Sequence, residues 1–237
     1  MFPEPEDPVM STVVEEPLAG LETLTLQDVV DRLGGIPLCR ILARPAPGTA
    51  TEADLLAVNA RKLHLCELVD GVLVEKAMGL RESMLAVVIA GLLGEFARSR
   101  NLGLVAGEAG TLRLLGGLIR LPDVAFIPWS RIPGGRVPVE PVPQLAPELA
   151  IEVLSEGNTQ VEMRRKRREY FEAGVDIVWE VDPRKRVIHV YHKGQDKPAT
   201  FDQSQTIECG LTLAGFRLVL ADLFAELDRA QDKPKNS

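Results

Sequence analysis

The sequence predicts an α/β protein in which a mixed β-sheet is flanked by helices. Short apolar runs typical of strands alternate with longer helical stretches, in the order helix, hairpin, helix, strands, helix, strands. A chain of 237 residues, 46% of them apolar, is long enough to bury one sizeable core. We therefore expect one domain over residues 23–227, preceded by a flexible acidic, proline-rich arm at 1–22 and followed by a frayed tail at 228–237.

The first half of the chain carries three helix signals and one hairpin signal. Thr25 and Thr51 each stand where a threonine can cap a short helix. Two apolar runs flank the dipeptide Asp70-Gly71, which favours a tight turn between two antiparallel strands. Residues 82–98 then predict a well-buried helix, whose apolar stretch is far shorter than the roughly 20 residues that span a bilayer.

The second half of the chain is predicted to supply most of the sheet. Glycine-separated apolar runs over 102–129 predict a meander of strands, and the six prolines of 128–147 predict a long loop. A strand is expected over 149–155 and a helix over 158–174. Two further strands follow over 176–193, and the rest of the chain predicts a last strand and a short helix.

Charge and cysteine content limit the function classes. The formal net charge of −7 argues against a protein that coats nucleic acid non-specifically, but it allows a DNA enzyme with a local basic patch. The cysteines, Cys39, Cys66 and Cys209, are scattered and form no metal-binding or disulfide pattern. The first residues lack the features of a signal peptide. We therefore expect a cytoplasmic protein without a membrane segment.

Glu152 is a carboxylate inside a strand-forming run, LAIEVLS at 149–155. In a strand its side chain shares one face with Ala150 and Leu154. A buried and unpaired carboxylate is costly, so such a group neutralises, pairs with a cationic side chain or binds a metal ion. A salt-bridged strand residue or an exposed sheet face explains the same pattern, and both stay open at this point.

Asp123 is the second acid in an unusual position. It follows Pro122 and opens the apolar run VAFI, which places it at the rim where a loop enters a strand. Two carboxylates on neighbouring strands make a site for a hard divalent cation such as magnesium, which prefers oxygen ligands. Taken alone, Asp123 is equally consistent with an ordinary turn residue.

Lys166 belongs to the helix that follows Glu152. Glu162, Lys166 and Tyr170 are spaced four residues apart and therefore lie on one helix face. A lysine beside a magnesium site suits phosphodiester hydrolysis, because the metal activates water while the lysine polarises the phosphate. A solvated basic helix with a weak surface pair between Glu162 and Lys166 is the alternative.

Several motifs together resemble one known family. ELVDG, the isolated PD, IEVLS, KRREY and VWEVDP follow the order found in the Uma2 family of restriction-endonuclease-like proteins, within the PD-(D/E)xK nuclease superfamily. The resemblance runs from about Thr23 to Glu226. It implies a restriction-endonuclease-like core, Mg²⁺ or Mn²⁺ as cofactor, and endonuclease activity on DNA. By analogy with restriction-like nucleases it also implies a homodimer.

The resemblance assigns roles to three residues. Asp123 matches the acid of the PD motif and Glu152 the acid of the second motif, so both are predicted to be catalytic metal ligands. The superfamily pattern expects a lysine two residues after Glu152, where this chain has Leu154. Uma2-like sequences supply the lysine from the following helix, which makes Lys166 the third predicted catalytic residue.

Further candidates carry less specific signals. Glu67, Glu82 and Tyr170 are auxiliary site candidates, and a structural role is open for both glutamates. The arginines beside Lys166 are candidates for DNA phosphate contacts: Arg164, Arg165, Arg167 and Arg168. The departure at Leu154 leaves two other functions open. One is a catalytically degenerate nuclease fold that binds DNA or protein, and the other is a metal-dependent phosphoesterase acting on a smaller substrate.

Overall fold

A computed structural model describes residues 25–61 and 65–230 of the chain. The predicted arm at 1–22 and most of the predicted tail at 228–237 lie outside the described residues, so the domain boundaries stay predictions. None of the helices in the described ranges is long and apolar enough to cross a membrane.

Five α-helices and twelve strands make up the regular structure of the described residues. The helices are α1 (Leu26–Arg32), α2 (Glu52–Ala60), α3 (Leu80–Ser99), α4 (Gln160–Glu172) and α5 (Leu220–Ala225). The strands are β1 (Cys66–Val69), β2 (Val72–Glu75), β3 (Gly103–Gly107), β4 (Leu112–Leu115), β5 (Leu118–Arg120), β6 (Val124–Pro128), β7 (Leu149–Val153), β8 (Ile177–Asp182), β9 (Val187–His192), β10 (Ala199–Asp202), β11 (Thr206–Glu208) and β12 (Arg217–Val219).

The predicted mixed sheet is confirmed as a six-stranded sheet in the order β10-β9-β8-β7-β6-β3. Strand β7 pairs with β8 in parallel, because α4 connects them as a crossover, and the other neighbours are antiparallel. A four-stranded sheet, β2-β1-β5-β4, lies beside it, and β11 and β12 form a small third sheet. The pattern over the last part of the chain did not predict β10 or β11.

The predicted meander over 102–129 forms its strands but divides between the two larger sheets. Strands β3 and β6 pair in the six-stranded sheet, whereas β4 and β5 join the four-stranded one. The division arises because Leu68 of β1 pairs with Ile119 of β5, which draws the β4–β5 hairpin away from β6. The hairpin predicted at Asp70-Gly71 is confirmed, with both residues at positive φ.

Local capping explains where the helices begin. Thr25 and Thr51 cap α1 and α2 as predicted, and Thr159 caps α4. Helix α3 begins two residues earlier than predicted, because the Glu82 carboxylate accepts a hydrogen bond from the Gly79 amide at 3.1 Å and so satisfies its first turn.

Side-chain alternation along β7 divides the core into two layers. Ile151 packs with apolar residues of α3, whereas Ala150 packs with Tyr170 of α4. Glu152 has the same parity as Ala150, so its side chain lies on the α4 side of the sheet. The alternation therefore directs the strand carboxylate toward the basic helix.

Arg40 and Glu162 form a buried ion pair that ties the segment before α2 to the start of α4. Two contacts join the guanidinium to the carboxylate, at 3.0 and 2.8 Å. Burial raises the pKa of the Glu162 carboxyl, but the hydrogen bonds from Arg40 and the charge of Lys166 more than offset this effect and leave that pKa below its usual range. The pair therefore stabilises the fold in a pH-dependent way.

We expect Glu162→Gln to lower the free energy of unfolding by roughly 3–5 kcal/mol at neutral pH, because it leaves the Arg40 charge buried and uncompensated. The folded-state pKa of Glu162 lies below the unfolded value of about 4.3, so its contribution is present above that pH and is lost as the pH falls through the folded pKa. Urea unfolding at pH 7 and pH 3 measures this change. An equal loss of unfolding free energy at both pH values contradicts this expectation. Glu172→Gln, which removes one partner of the exposed Arg168–Glu172 pair, is the matched control.

Candidate active site at the β6–β7 edge

Asp123 and Glu152 lie opposite each other on adjacent antiparallel strands. Val124 of β6 pairs with Ile151 of β7, so the next step of the register places Asp123 across from Glu152. Opposed residues in an antiparallel pair point to the same face, and both carboxylates are buried, with 3% and 5% of the residue surface exposed. The strand register thus brings together the two acids predicted from the sequence.

Both carboxylate oxygens of Asp123 accept hydrogen bonds. Oδ2 accepts from the Val153 amide at 2.7 Å, which ties the loop before β6 to the end of β7. Oδ1 lies 2.6 Å from Nζ of Lys76, the residue that follows β2. The same ammonium donates to the Leu121 carbonyl at 2.5 Å. Asp123 is therefore held by one backbone amide and one lysine.

Both oxygens of Glu152 are also engaged, and both partners come from α4. Lys166 Nζ lies 3.1 Å from Oε2, and the Tyr170 hydroxyl donates to Oε1 at 2.5 Å. Burial raises the pKa of the Glu152 carboxyl; Lys166 opposes this shift, and the Asp123 carboxylate adds to it. Burial and Asp123 therefore disfavour the ionised form of Glu152, whereas Lys166 and Tyr170 of α4 hold its carboxylate in position.

Lys166 lies between two carboxylates in the interior. Its Nζ atom is 3.1 Å from Glu152 and 3.3 Å from Glu67, and only 3% of its side chain is exposed. Burial lowers the pKa of Lys166, but Glu152 and Glu67 more than offset that effect and raise the pKa above its usual value. The alternative of a solvated lysine paired with Glu162 is therefore wrong.

Behind Lys166 lies a buried ionic network. Arg120 of β5 contacts Glu67 at 2.6 Å and also pairs with Glu169 of α4. Burial raises the pKa of Glu67, but Lys166 and Arg120 more than offset this and hold it well below the usual range. The Leu121 amide donates to Glu67 at 3.1 Å. Glu67 is thus ionised and provides Lys166 with a second carboxylate partner besides Glu152.

The site cluster consists of the acid pair, Lys166 and their partners: Asp123, Glu152, Lys166, Tyr170, Glu67, Arg120 and Lys76. The remaining predicted site residues lie outside this cluster. Glu82 caps α3 and has no contact with the acid pair among the described residues. Arg165 is held by Glu169 and Asp70, and Arg167 pairs with Glu180. Arg164 and Arg168 are exposed, and both line a cleft of about 630 Å³ beside α4 and β9. The structure therefore divides the predicted basic face into two partly buried arginines and two exposed ones, of which Arg168 forms a surface pair with Glu172.

Two residues of the cluster were not singled out from the sequence. Arg120 interrupts the apolar run LIRL, which is the same signal that marked Glu152 within its strand. Lys76 directly follows the second strand of the predicted hairpin, and nothing in its local pattern distinguishes it from a surface lysine. Its role depends on a contact with Asp123, which is 47 residues away in the chain.

The oxygen atoms at the acid pair are of the chemical type that binds a divalent metal ion. Among the described residues, no group of three or more His, Cys, Asp or Glu side chains is arranged to hold such an ion. However, the Lys76 ammonium already occupies a cation position between Asp123 Oδ1 and the Leu121 carbonyl. Carboxylate and carbonyl oxygens are the ligands that magnesium takes. Asp123, Glu152 and the Leu121 carbonyl therefore supply the donor chemistry of a small magnesium or manganese site.

Comparisons with known proteins agree with the fold. A solved structure, a "putative nuclease belonging to DUF820" from Anabaena variabilis ATCC 29413, matches with a TM-score of 0.61 and 22% identity over 68% of this chain and 90% of that chain. This likeness confirms the predicted restriction-endonuclease-like fold. No curated protein matched the chain. The family model "Uma2: Putative restriction endonuclease" matches residues 53–221. Since this match spans most of the sequence, the chain belongs to the Uma2 family.

Proposed function

We propose that the protein is a Mg²⁺- or Mn²⁺-dependent endonuclease that hydrolyses DNA phosphodiester bonds. The observation that carries the proposal is the placement of Asp123 opposite Glu152 on one sheet face, with Lys166 3.1 Å from Glu152. The nuclease description of the family supports the same reaction class.

Each residue of the cluster has a role in this reaction. Asp123 and Glu152 would hold the metal, which when bound polarises a phosphate oxygen and lowers the pKa of water. Lys166 fixes the Glu152 carboxylate and adds positive charge where the phosphate gains negative charge. Tyr170 orients Glu152 through its second oxygen. Glu67, held by Arg120, keeps the Lys166 ammonium in place.

One cleft reaches the acid pair, and a second is lined by segments that closely follow Lys76 and β7, so both provide room for a substrate. One of about 320 Å³ lies between α3 and residues 107–110 and reaches Asp123. The other, of about 610 Å³, is lined by residues 77–79 and 155–157 and carries Arg81 and Arg184 together with Glu82 and Glu156. Arg184 already pairs with Glu156 at 3.0 Å, so Arg81 is the candidate for contact with a phosphate backbone.

The exposed arginines of α4 predict a salt-dependent contact with DNA. We expect Arg164→Gln combined with Arg168→Gln to weaken DNA binding and to reduce the slope of log affinity against log salt by about 1.8, because each lost phosphate contact on duplex DNA removes about 0.9. Filter binding or fluorescence anisotropy at several salt concentrations measures the slope. Arg217→Gln, an exposed arginine on β12, is the control. An unchanged slope in the double variant indicates that DNA does not contact Arg164 and Arg168.

A cleavage assay on supercoiled, linear and single-stranded DNA with magnesium or manganese tests the proposed function. Metal-dependent fragments support it, and EDTA is expected to abolish them. Direct conversion of supercoiled plasmid to the linear form, without a nicked intermediate, supports the homodimer that is expected from the analogy with restriction-like nucleases. Absence of cleavage with either metal overturns the proposal.

A catalytically degenerate nuclease fold that binds DNA or protein is the second candidate. One observation favours it: all four carboxylate oxygens of Asp123 and Glu152 already contact side-chain or backbone donors. Leu154 at the expected lysine position points the same way. DNA binding without cleavage supports this candidate. Hydrolysis of small phosphodiesters without DNA binding supports the phosphoesterase instead.

A further inference from the structure

We propose that Lys76 is a resident cation of the acid site, which a divalent metal ion must displace from Asp123. The inference rests on the proposed function, since it concerns the same metal site. It assigns to Lys76 the task of holding Asp123 in the metal-free protein and of leaving when the metal binds.

The contacts of Lys76 are those of a bound cation. Its Nζ atom lies 2.6 Å from Asp123 Oδ1 and 2.5 Å from the Leu121 carbonyl, and 5% of its side chain is exposed. Its backbone is fixed, because the Lys76 amide donates to the Leu65 carbonyl at 2.8 Å. A carboxylate and a carbonyl oxygen are also the ligand types that a magnesium ion takes.

Asp123 offers one oxygen for exchange. Oδ2 is held by the Val153 amide within the sheet, so a metal ion that binds Asp123 takes Oδ1, the atom that Lys76 now contacts. An ammonium and a divalent ion on the same oxygen repel each other strongly in a buried site. Metal binding and the Lys76–Asp123 contact are therefore mutually exclusive.

Lys76 is also better placed to leave than Lys166. Lys166 lies within 3.3 Å of two carboxylates, whereas Lys76, among the described residues, is within ion-pair distance of Asp123 and acts on Glu67 and Glu152 over a longer range. The residues that follow Lys76, 77–79, line the cleft of about 610 Å³. This cleft is therefore the space next in the chain into which a displaced Lys76 ammonium would turn.

Metal titration of matched variants tests the exchange. In isothermal titration with Mn²⁺, we expect Lys76→Met to bind at least about tenfold more tightly than the wild type, because the competing cation is absent. Adding Glu152→Gln to Lys76→Met should remove that gain, which locates the ion at the acid pair. Lys185→Met, a lysine with 73% of its side chain exposed and paired with Asp182, should match the wild type.

The outcomes separate this inference from the proposed function. Wild-type binding that Glu152→Gln removes, with no gain in Lys76→Met, overturns the inference and leaves the metal site intact. No binding of Mn²⁺ or Mg²⁺ to either the wild type or Lys76→Met overturns both. Tight binding to Lys76→Met with weak binding to the wild type supports the inference, even if the wild type cleaves slowly.

A second measurement uses the wild-type protein and does not depend on the folding of a variant. Acetylation of lysine amines, followed by mass spectrometry of the peptides, reports how accessible each ammonium is. We expect saturating Mn²⁺ to increase the labelling of Lys76 severalfold, while Lys166 stays protected as the internal reference. Unchanged labelling of Lys76 at saturating Mn²⁺ overturns the displacement. Tighter Mn²⁺ binding by Lys76→Met would then reflect only the loss of a nearby positive charge.

Discussion

A Glu152→Gln variant is expected to lose DNA cleavage by at least about 10²–10³-fold, the scale for removing one preorganised electrostatic group from an active site. It should stay folded, with a free energy of unfolding within about 1 kcal/mol of the wild type. The amide oxygen can still accept from Tyr170, and Lys166 keeps Glu67 as its partner at 3.3 Å. Since burial raises the pKa of Glu152, removing its charge also removes an unfavourable term.

Cleavage rates on plasmid DNA and urea unfolding, measured on the same preparation, check this expectation. Glu148→Gln is the matched control, because Glu148 is a buried carboxylate just before the same strand that contacts Thr212 instead of the site. Its cleavage rate should match that of the wild type. Wild-type cleavage by Glu152→Gln, or a large loss of stability without a loss of cleavage, identifies Glu152 as a structural residue.

The largest effect on stability is expected at Arg120. Arg120→Met should lower the free energy of unfolding by roughly 3–5 kcal/mol, because it breaks a buried network and leaves carboxylates uncompensated. Arg120 is 3% exposed and contacts both Glu67 and Glu169. Burial lowers the pKa of Arg120, but those two carboxylates more than offset this effect and hold it above the usual range. The guanidinium is therefore charged at neutral pH.

Chemical denaturation measures this change, with Arg113→Met as the control. Arg113 pairs with Glu52 at the surface, where both side chains are about one-third exposed, so its removal is expected to cost at most about 1 kcal/mol. Arg120→Met should also slow cleavage, because Glu67 loses the partner that holds it beside Lys166. Equal losses of unfolding free energy in Arg120→Met and Arg113→Met contradict the assignment of Arg120 as the central residue of the buried ionic network.

Local patterns predicted most of the elements that position the site. The capping threonines, the Asp70-Gly71 turn and the apolar run around Glu152 each act over a few residues, so their physical causes are visible in the sequence. The strand parity that directs Glu152 toward α4 follows from the same short-range alternation. The fold class could therefore be predicted without any knowledge of tertiary contacts.

The electrostatic partners of the site could not be predicted in the same way. Lys76 meets Asp123 across 47 residues, and Arg120 meets Glu67 across 53. Such pairs depend on which strands become neighbours, and the division of the meander between two sheets was itself not predicted. Lys166 was predicted from the resemblance to Uma2-like sequences, whereas its burial between two acids became visible only in three dimensions. The catalytic roles of these residues stay predictions.

The topology of the site has a consequence for protein synthesis. The acids Asp123 and Glu152 precede α4 in the chain, and α4 supplies both Lys166 and Tyr170. At roughly 5–20 residues per second, a ribosome makes the two strands seconds before it makes the helix that completes the cluster. A nascent chain at that stage carries Glu152 without its ammonium and phenol partners, whereas Lys76, the partner of Asp123, has already been made. The order of translation therefore means that Glu152 gains both of its side-chain partners only after α4 has been made and packed against the sheet.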